Sequence, residues 1–184
     1  MNDRRGSGVG SARRRCRLLA GAGLVLAATG CAHEATAPRT PAAASRPALL
    51  AALDGRWRME GELLGKPVRY DLEVTPVLGG AFTELHMRDV QRPARYEARV
   101  FLGQGATPGT LIVHWLDNFG APASIPHGTG TLGREALTFQ IPYPDGAFRD
   151  TLTRDAAHGT WQFLIEAQQG SGEWRTFARY AIHH

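Results

Sequence analysis

The chain has 184 residues, of which 43% are hydrophobic and 21% charged, a composition typical of a globular protein. Its formal net charge is +4, but that charge comes from the beginning of the chain. Residues 1–31 hold six arginines and one acid, which gives +5, whereas residues 32–184 hold fifteen basic and sixteen acidic residues, which gives −1. The remainder of the chain therefore lacks the basic field that nucleic-acid binding needs, and we predict no nucleic-acid partner.

The beginning of the chain has the layout of a secretory signal peptide. Six arginines precede an apolar run over 18–28 that is too short for a stable transmembrane helix. The segment 28–31, Ala-Thr-Gly-Cys, resembles a bacterial lipobox, in which cleavage precedes an acylated cysteine. We predict a signal peptide of lipoprotein type over 1–30, with simple secretion as the alternative. The prediction implies lipidation of Cys31, a membrane anchor there, and a location at the periplasmic face of the outer membrane.

A tether is predicted next. Residues 31–47 are rich in alanine, threonine, proline and serine, so they bury little apolar surface and are expected to be disordered. A short helix over 47–53 follows, with Pro47 at an early position and Gly55 just beyond its end. Both cysteines fall within 1–31, so the domain predicted over 48–184 forms no internal disulfide and no cysteine metal site.

The domain itself reads as a succession of short β-strands. The clearest alternation places Val68, Tyr70, Leu72 and Val74 on one face, and the run 95–120 predicts a hairpin with one apolar face. About ten such runs are joined by short turns, which predicts an antiparallel up-and-down meander. A meander of this length protects its edges by closing, so we predict an all-β fold with a single β-barrel. A two-sheet sandwich is the alternative.

Four short motifs carry a resemblance to a known superfamily. Gly55-Arg56-Trp57 matches the Gly-x-Trp opening of calycins, the superfamily of lipocalins and fatty-acid-binding proteins, where the tryptophan plugs the base of the barrel. With the segments 78–82, 115–120 and 128–130, in this order and spacing, the chain resembles the uncharacterised bacterial family of domain of unknown function 1579 (DUF1579). The resemblance implies a lipocalin-like β-barrel and no established activity.

No cofactor is predicted. Related ten-stranded barrels, similar to nitrobindin, bind haem through a histidine near their C-terminal strands. The predicted inward positions there contain no histidine, which disfavours haem: Trp161, Phe163, Ile165, Trp174, Tyr180 and Ile182. No metal site is predicted either, since the sequence lacks the common metal-binding motifs.

Inward parity selects the candidate ligand-binding residues. The side chains predicted to line the interior are Trp57, Tyr70, Leu85, Met87, Tyr96, Val113, Trp115, Phe139, Asp150, Trp161, Phe163 and Tyr180. Asp150 shares its parity with Phe148 and Leu152, which points a carboxyl group inward, where burial is costly unless a partner meets it. A β-bulge would instead turn it outward. Asp150 and His114 are the catalytic candidates, although a satisfied, partly buried histidine is the favoured interpretation of His114.

Three functions stay open. The favoured one is an exported barrel that binds a small apolar or amphipathic molecule in an internal cavity open at one end. The second is an envelope structural or interaction lipoprotein with a filled barrel and an outward apolar patch. The third is an enzyme in which Asp150 and a histidine or tyrosine converge inside the barrel.

Overall fold

The computed structural model describes residues 46–184; the predicted signal peptide, Cys31 and all but the last two residues of the predicted tether lie outside the described residues. The elements are one short helix and ten strands: α1 Ala48–Ala51, β1 Gly55–Leu63, β2 Lys66–Val77, β3 Phe82–Asp89, β4 Glu97–Gln104, β5 Thr110–Asp117, β6 Gly128–Leu132, β7 Ala136–Ile141, β8 Phe148–Asp155, β9 Thr160–Gln168 and β10 Trp174–His183. No helix among them is long and apolar enough to cross a bilayer.

The ten strands form a closed antiparallel barrel in which each strand pairs with the next along the chain. The barrel closes where β1 pairs with β10, with Met59 opposite Ile182. The predicted hairpin is β4 with β5, with Val100 opposite Trp115. Closure leaves no strand edge exposed, which confirms the prediction of a single barrel over the two-sheet sandwich.

Antiparallel order gives the barrel two distinct ends. The helix end holds α1 and the connections β2–β3, β4–β5, β6–β7 and β8–β9; the loop end holds the other five connections. At the helix end Leu50 and Leu53 are fully buried, and the Trp57 Nε1 group donates a hydrogen bond to the Leu53 carbonyl at 2.8 Å. His184 stacks on Trp57 with ring centroids 3.9 Å apart. Trp57 therefore secures the base of the barrel, as the calycin resemblance implies.

The helix is shorter than predicted, and the domain begins slightly earlier. α1 spans four residues, because the chain must leave the helix after Ala51 to bury Leu53 and present Trp57. Arg46, assigned above to the tether, is bonded to the domain: it pairs with the Asp54 carboxylate and donates to Thr83 Oγ1 at 2.8 Å.

Large side chains fill the interior. Ten strands enclose more space than eight, so the inward positions must be bulky if the barrel is to pack. Trp161, Phe139, Phe163, Met59 and Leu72 are each at most 2% exposed. Toward the loop end the packing loosens, with Trp115 at 9% and Tyr96 half-buried.

One predicted inward position is wrong. The register between β9 and β10 shifts between Thr176 and Ala178. The extra residue of this β-bulge reverses the parity of the strand before it. Trp174 consequently lies half-buried on the outer face, where the Arg149 guanidinium carbon sits 4.5 Å from its ring centroid. Phe177 packs against the core instead.

Candidate functional site

The buried carboxyl group of Asp150 marks the candidate site. Asp150 lies on β8, opposite Phe139 on β7 and Ile165 on β9, and is 2% exposed. The strand keeps its register here, so the prediction of an inward carboxyl group is confirmed. Among residues 46–184, no side-chain hydrogen bond or ion pair involves this group. In the same residues, every side-chain nitrogen or oxygen that is completely buried has a hydrogen-bond partner. The carboxyl oxygens are therefore not completely sealed, in keeping with the 2% exposure of the residue.

Burial changes the protonation of this group. Removal from water raises the pKa of Asp150 well above its usual value, and no nearby base opposes the effect. Burial therefore favours the neutral acid, because ionising a carboxyl group away from water costs several kcal/mol, on the order of 2–7 even for simpler polar groups.

A cluster of tyrosines lies in the loop-end half of the barrel, the half that also holds Asp150. Tyr180 on β10 meets Tyr70 on β2 edge to face, with centroids 5.8 Å apart, and contacts Phe163 at 6.0 Å. Burial raises the pKa of Tyr180, and the charges of Tyr70 and Asp150 raise it further. Burial is also the main cause that raises the pKa of Tyr143, which lies between β7 and β8. The charges of Asp117 and Asp150 raise this pKa further, to about 12. Asp150 thus lies within electrostatic range of two tyrosine hydroxyls.

A chain of polar contacts continues toward the rim. Trp115 Nε1 donates to the Tyr96 hydroxyl at 3.0 Å, and that hydroxyl donates to Asp117 Oδ2 at 3.4 Å. The other carboxylate oxygen, Oδ1, accepts the backbone N–H of Phe119 at 3.0 Å, which makes Asp117 a turn residue as well. Burial is the main cause that raises the pKa of Tyr96.

Three further aromatic residues at the loop end are missing from the predicted ligand-binding set, although Phe148 has the inward parity that the sequence predicts. Tyr143 meets Phe148 edge to face at 5.7 Å, and Phe148 meets Phe177 at 5.0 Å. Tyr143 stands between Pro142 and Pro144 in a turn, where no alternation assigns a direction. An aromatic residue inside a tight Pro-x-Pro turn is the only signal that could have pointed to it.

The twelve predicted ligand-binding residues all face the interior. Eleven are buried, and Tyr96 is half-buried. They do not form one cavity, because Trp57 and Trp161 belong to the packed helix end while Tyr70, Tyr96, Trp115 and Tyr180 cluster at the loop end. The least enclosed of these side chains lie at the loop end, where Tyr96 and the neighbouring-turn residue Tyr143 are half-buried.

The histidines lie elsewhere. His114 is exposed on the outer face of β5, not partly buried, because its neighbours Val113 and Trp115 take the inward parity. None of the six histidines in residues 46–184 is buried, and no group of histidine, cysteine and acidic side chains there could hold a metal ion. The tyrosines, rather than a histidine, accompany Asp150.

Two surface cavities lie outside the barrel. A groove of about 460 Å³ crosses the outer faces of β1, β2 and β3 and is lined by Arg56, Arg58, Asp71, Glu73 and Arg88 among others. Its charges are largely paired, for example Arg88 with Glu97 at 2.9 Å and Arg56 with Glu73 at 3.3 Å. A second cavity of about 240 Å³ lies beside Leu116 on β4 and β5.

Comparison with known proteins finds a similar solved structure but no related family. No protein-family model matches the sequence, and no curated protein does so either. Among solved structures, the chain is similar to the crystal structure of Rv2717c from M. tuberculosis. The two share 15% sequence identity and a TM-score of 0.52, over 75% of this chain and 97% of that one. This similarity supports the barrel fold and carries no further implication for function.

Proposed function

We propose that the protein is an exported, lipid-anchored member of the calycin-like DUF1579 class that binds a small apolar or amphipathic molecule at the loop end of its barrel. The observation that carries the proposal is the buried carboxyl group of Asp150, which has no side-chain partner among residues 46–184 and lies in the same half of the barrel as a cluster of tyrosines. A buried polar group without a partner is costly, and a bound molecule that supplies the partner offsets that cost.

The lining fits an amphipathic ligand. Phe163, Trp115 and Phe148 offer apolar surface, and the hydroxyl groups of Tyr180 and Tyr96 offer directed hydrogen bonds. Small-molecule sites commonly combine such an apolar wall with a few convergent polar groups. Because the helix end is packed, the ligand would enter between Tyr96 and Tyr143 and displace them partly.

Matched tryptophan variants locate the binding site. We expect decanol, a neutral amphiphile, to change the tryptophan fluorescence of the full-length Cys31→Ser chain, which cannot be acylated and needs no detergent. The Trp115→Phe variant should lose this response, whereas Trp161→Phe, altered at the packed helix end, should keep it. A response that follows Trp161 would place the ligand at the wrong end, and an absence of binding would remove the proposal. The anchor is checked in parallel, since palmitate should label the wild type and not Cys31→Ser.

A second candidate is an interaction lipoprotein that works through its outer surface. Large apolar side chains on two loop-end connections are exposed, namely Leu64 at 66% between β1 and β2, and Phe119 at 75% and Ile125 at 78% between β5 and β6. Exposed apolar groups at one end of a molecule are typical of contact surfaces. Replacement of Leu64 and Ile125 by serine should weaken partner binding under this candidate and leave decanol binding by the barrel intact; Phe119 is kept, because its ring contacts Tyr96 at 5.8 Å.

A further inference from the structure

The interior of the barrel has an uneven set of charges. Among residues 46–184, the only buried polar or charged side chains are Thr83 and Asp150. Thr83 belongs to the helix end, where Arg46 donates to its hydroxyl. At the loop end the one buried ionisable group besides tyrosine is therefore an acid, and no buried lysine, arginine or histidine of the described chain stands there to meet an anion.

At the proposed binding site, a buried acid without a buried base should bind some ligand head groups more tightly than others. A carboxylate or phosphate would enter a space without a buried base and face the carboxyl group of Asp150. A neutral head group would accept or donate one hydrogen bond. An ammonium group would do more, because it gives Asp150 an opposite charge and restores the ionised form of the acid.

The aromatic rings favour the same sign of charge. The faces of tyrosine and phenylalanine rings attract cations through their quadrupoles, and several rings around one space act as a cage for quaternary or protonated amines. Tyr180 contacts the rings of both Tyr70 and Phe163, with centroids 5.8 Å and 6.0 Å away. Phe163 lies on β9 two residues from Ile165, the strand partner of Asp150, and Tyr180 is the strand partner of Phe163.

A second acid, Asp117, lies at the rim of the loop end. Asp117 accepts the hydrogen bond of the Tyr96 hydroxyl, and its charge and that of Asp150 both act on Tyr143. A cation approaching through the loop end would therefore meet a carboxylate at the rim before it reaches the carboxyl group inside.

From this arrangement we infer that the site takes amphiphiles whose head group is an organic ammonium ion, with Asp150 as its counter-ion and the rings of Tyr70, Tyr180 and Phe163 around it. The apolar tail extends between Trp115 and Phe148 toward the loop end. This inference rests on the proposed function and specifies the ligand class of that site.

Four probes with the same ten-carbon tail separate the head groups: decylammonium, decyltrimethylammonium, decanol and decanoate. Each is titrated below its micelle concentration into the full-length Cys31→Ser chain, with tryptophan fluorescence as the readout. Both cations should bind at least about tenfold more tightly than decanol, as expected when cation–π and ion-pair contacts add to the tail. Decanoate should bind more weakly than decanol.

The Asp150→Asn variant isolates the counter-ion. It keeps the shape of the side chain and removes its charge, so the ratio of the decanol dissociation constant to that of each cation should fall from about tenfold or more to near one. Equal affinities of the wild type for cations and decanol would overturn the inference and leave the proposed function standing. A cation preference that survives in Asp150→Asn would overturn Asp150 as the counter-ion. Failure of all four probes to bind would overturn both proposals.

Discussion

Asp150 makes the stability of the barrel depend on pH in an unusual direction. Most carboxylates stabilise a fold when ionised, but this one has a folded-state pKa raised above its unfolded value, so the folded state binds the proton more tightly. The contribution of Asp150 to the free energy of unfolding is fully present below about pH 4. It is lost as the pH rises through the raised pKa of the folded state. The loss approaches about 1.4 kcal/mol per pH unit within that window.

Replacement of this residue tests the protonation argument. The Asp150→Asn variant cannot ionise, so we expect it to be more stable than the wild type at neutral pH and to show a flatter stability profile between pH 5 and pH 8. Urea unfolding across that range measures both effects. Identical slopes for the two proteins would show that Asp150 is ionised in the folded state or exposed to water. Saturation with a decylammonium probe should flatten the wild-type profile as well.

For single residues, the sequence pattern predicts the direction of a side chain but not its partners. Alternation along β8 places Asp150 inside because a strand of unbroken register fixes each side chain by parity. The absence of a partner within the described residues was not predictable. Whether Asp150 has a partner depends on the side chains that the seven strands not paired with β8 place at its level in the barrel. The contact of Tyr96 with both Trp115 and Asp117 is nonlocal in the same way, since it joins the β3–β4 loop to β5.

Individual strands carry constraints that come from close packing of their backbones. At Gly61 on β1, opposite Tyr180 on β10, an added Cβ would lie 1.9 Å from the Arg179 carbonyl oxygen. Only glycine allows this approach, which bends the sheet as the barrel closes. Backbone atoms cannot move aside as a flexible side chain can. Gly61 therefore has a steric role in joining the first and last strands.

Alanine substitutions at two glycines test this role. Gly61→Ala should destabilise the domain by about 2 kcal/mol or more, in the range of overpacked sites. Gly170→Ala is the control, since an added Cβ there meets no atom within 4 Å and the change should lie within about 0.5 kcal/mol. Chemical denaturation of both variants gives the comparison. A tolerated Gly61→Ala change would mean that β1 and β10 pair less closely than described.

The misplacement of Trp174 belongs to the element scale too. Strand period predicts direction only while the register is continuous, and the bulge between Thr176 and Ala178 interrupts it. Nothing in the local alternation of 174–182 announces the extra residue. The bulge matters for the site, because it turns Phe177 toward Phe148 at the loop end.

At the scale of the whole molecule, the number and order of strands were predictable because each connection is short and each strand pairs with its sequence neighbour. The distribution of space inside the barrel was not. It depends on the fit of bulky side chains from opposite walls, such as Trp115 and Phe163 with centroids 6.5 Å apart. The result is a barrel packed at the helix end, with its ionisable interior group nearer the loop end.

Native mass spectrometry tests the central claim, that the loop end of the barrel holds a small molecule. The full-length Cys31→Ser protein is purified without detergent and measured before and after organic extraction. We expect an added mass that extraction removes, carried by a compound with a basic nitrogen, and reduced occupancy in Asp150→Asn. A protein of bare calculated mass that also fails to bind the ten-carbon probes would contradict the account and favour a filled barrel that acts through its outer surface.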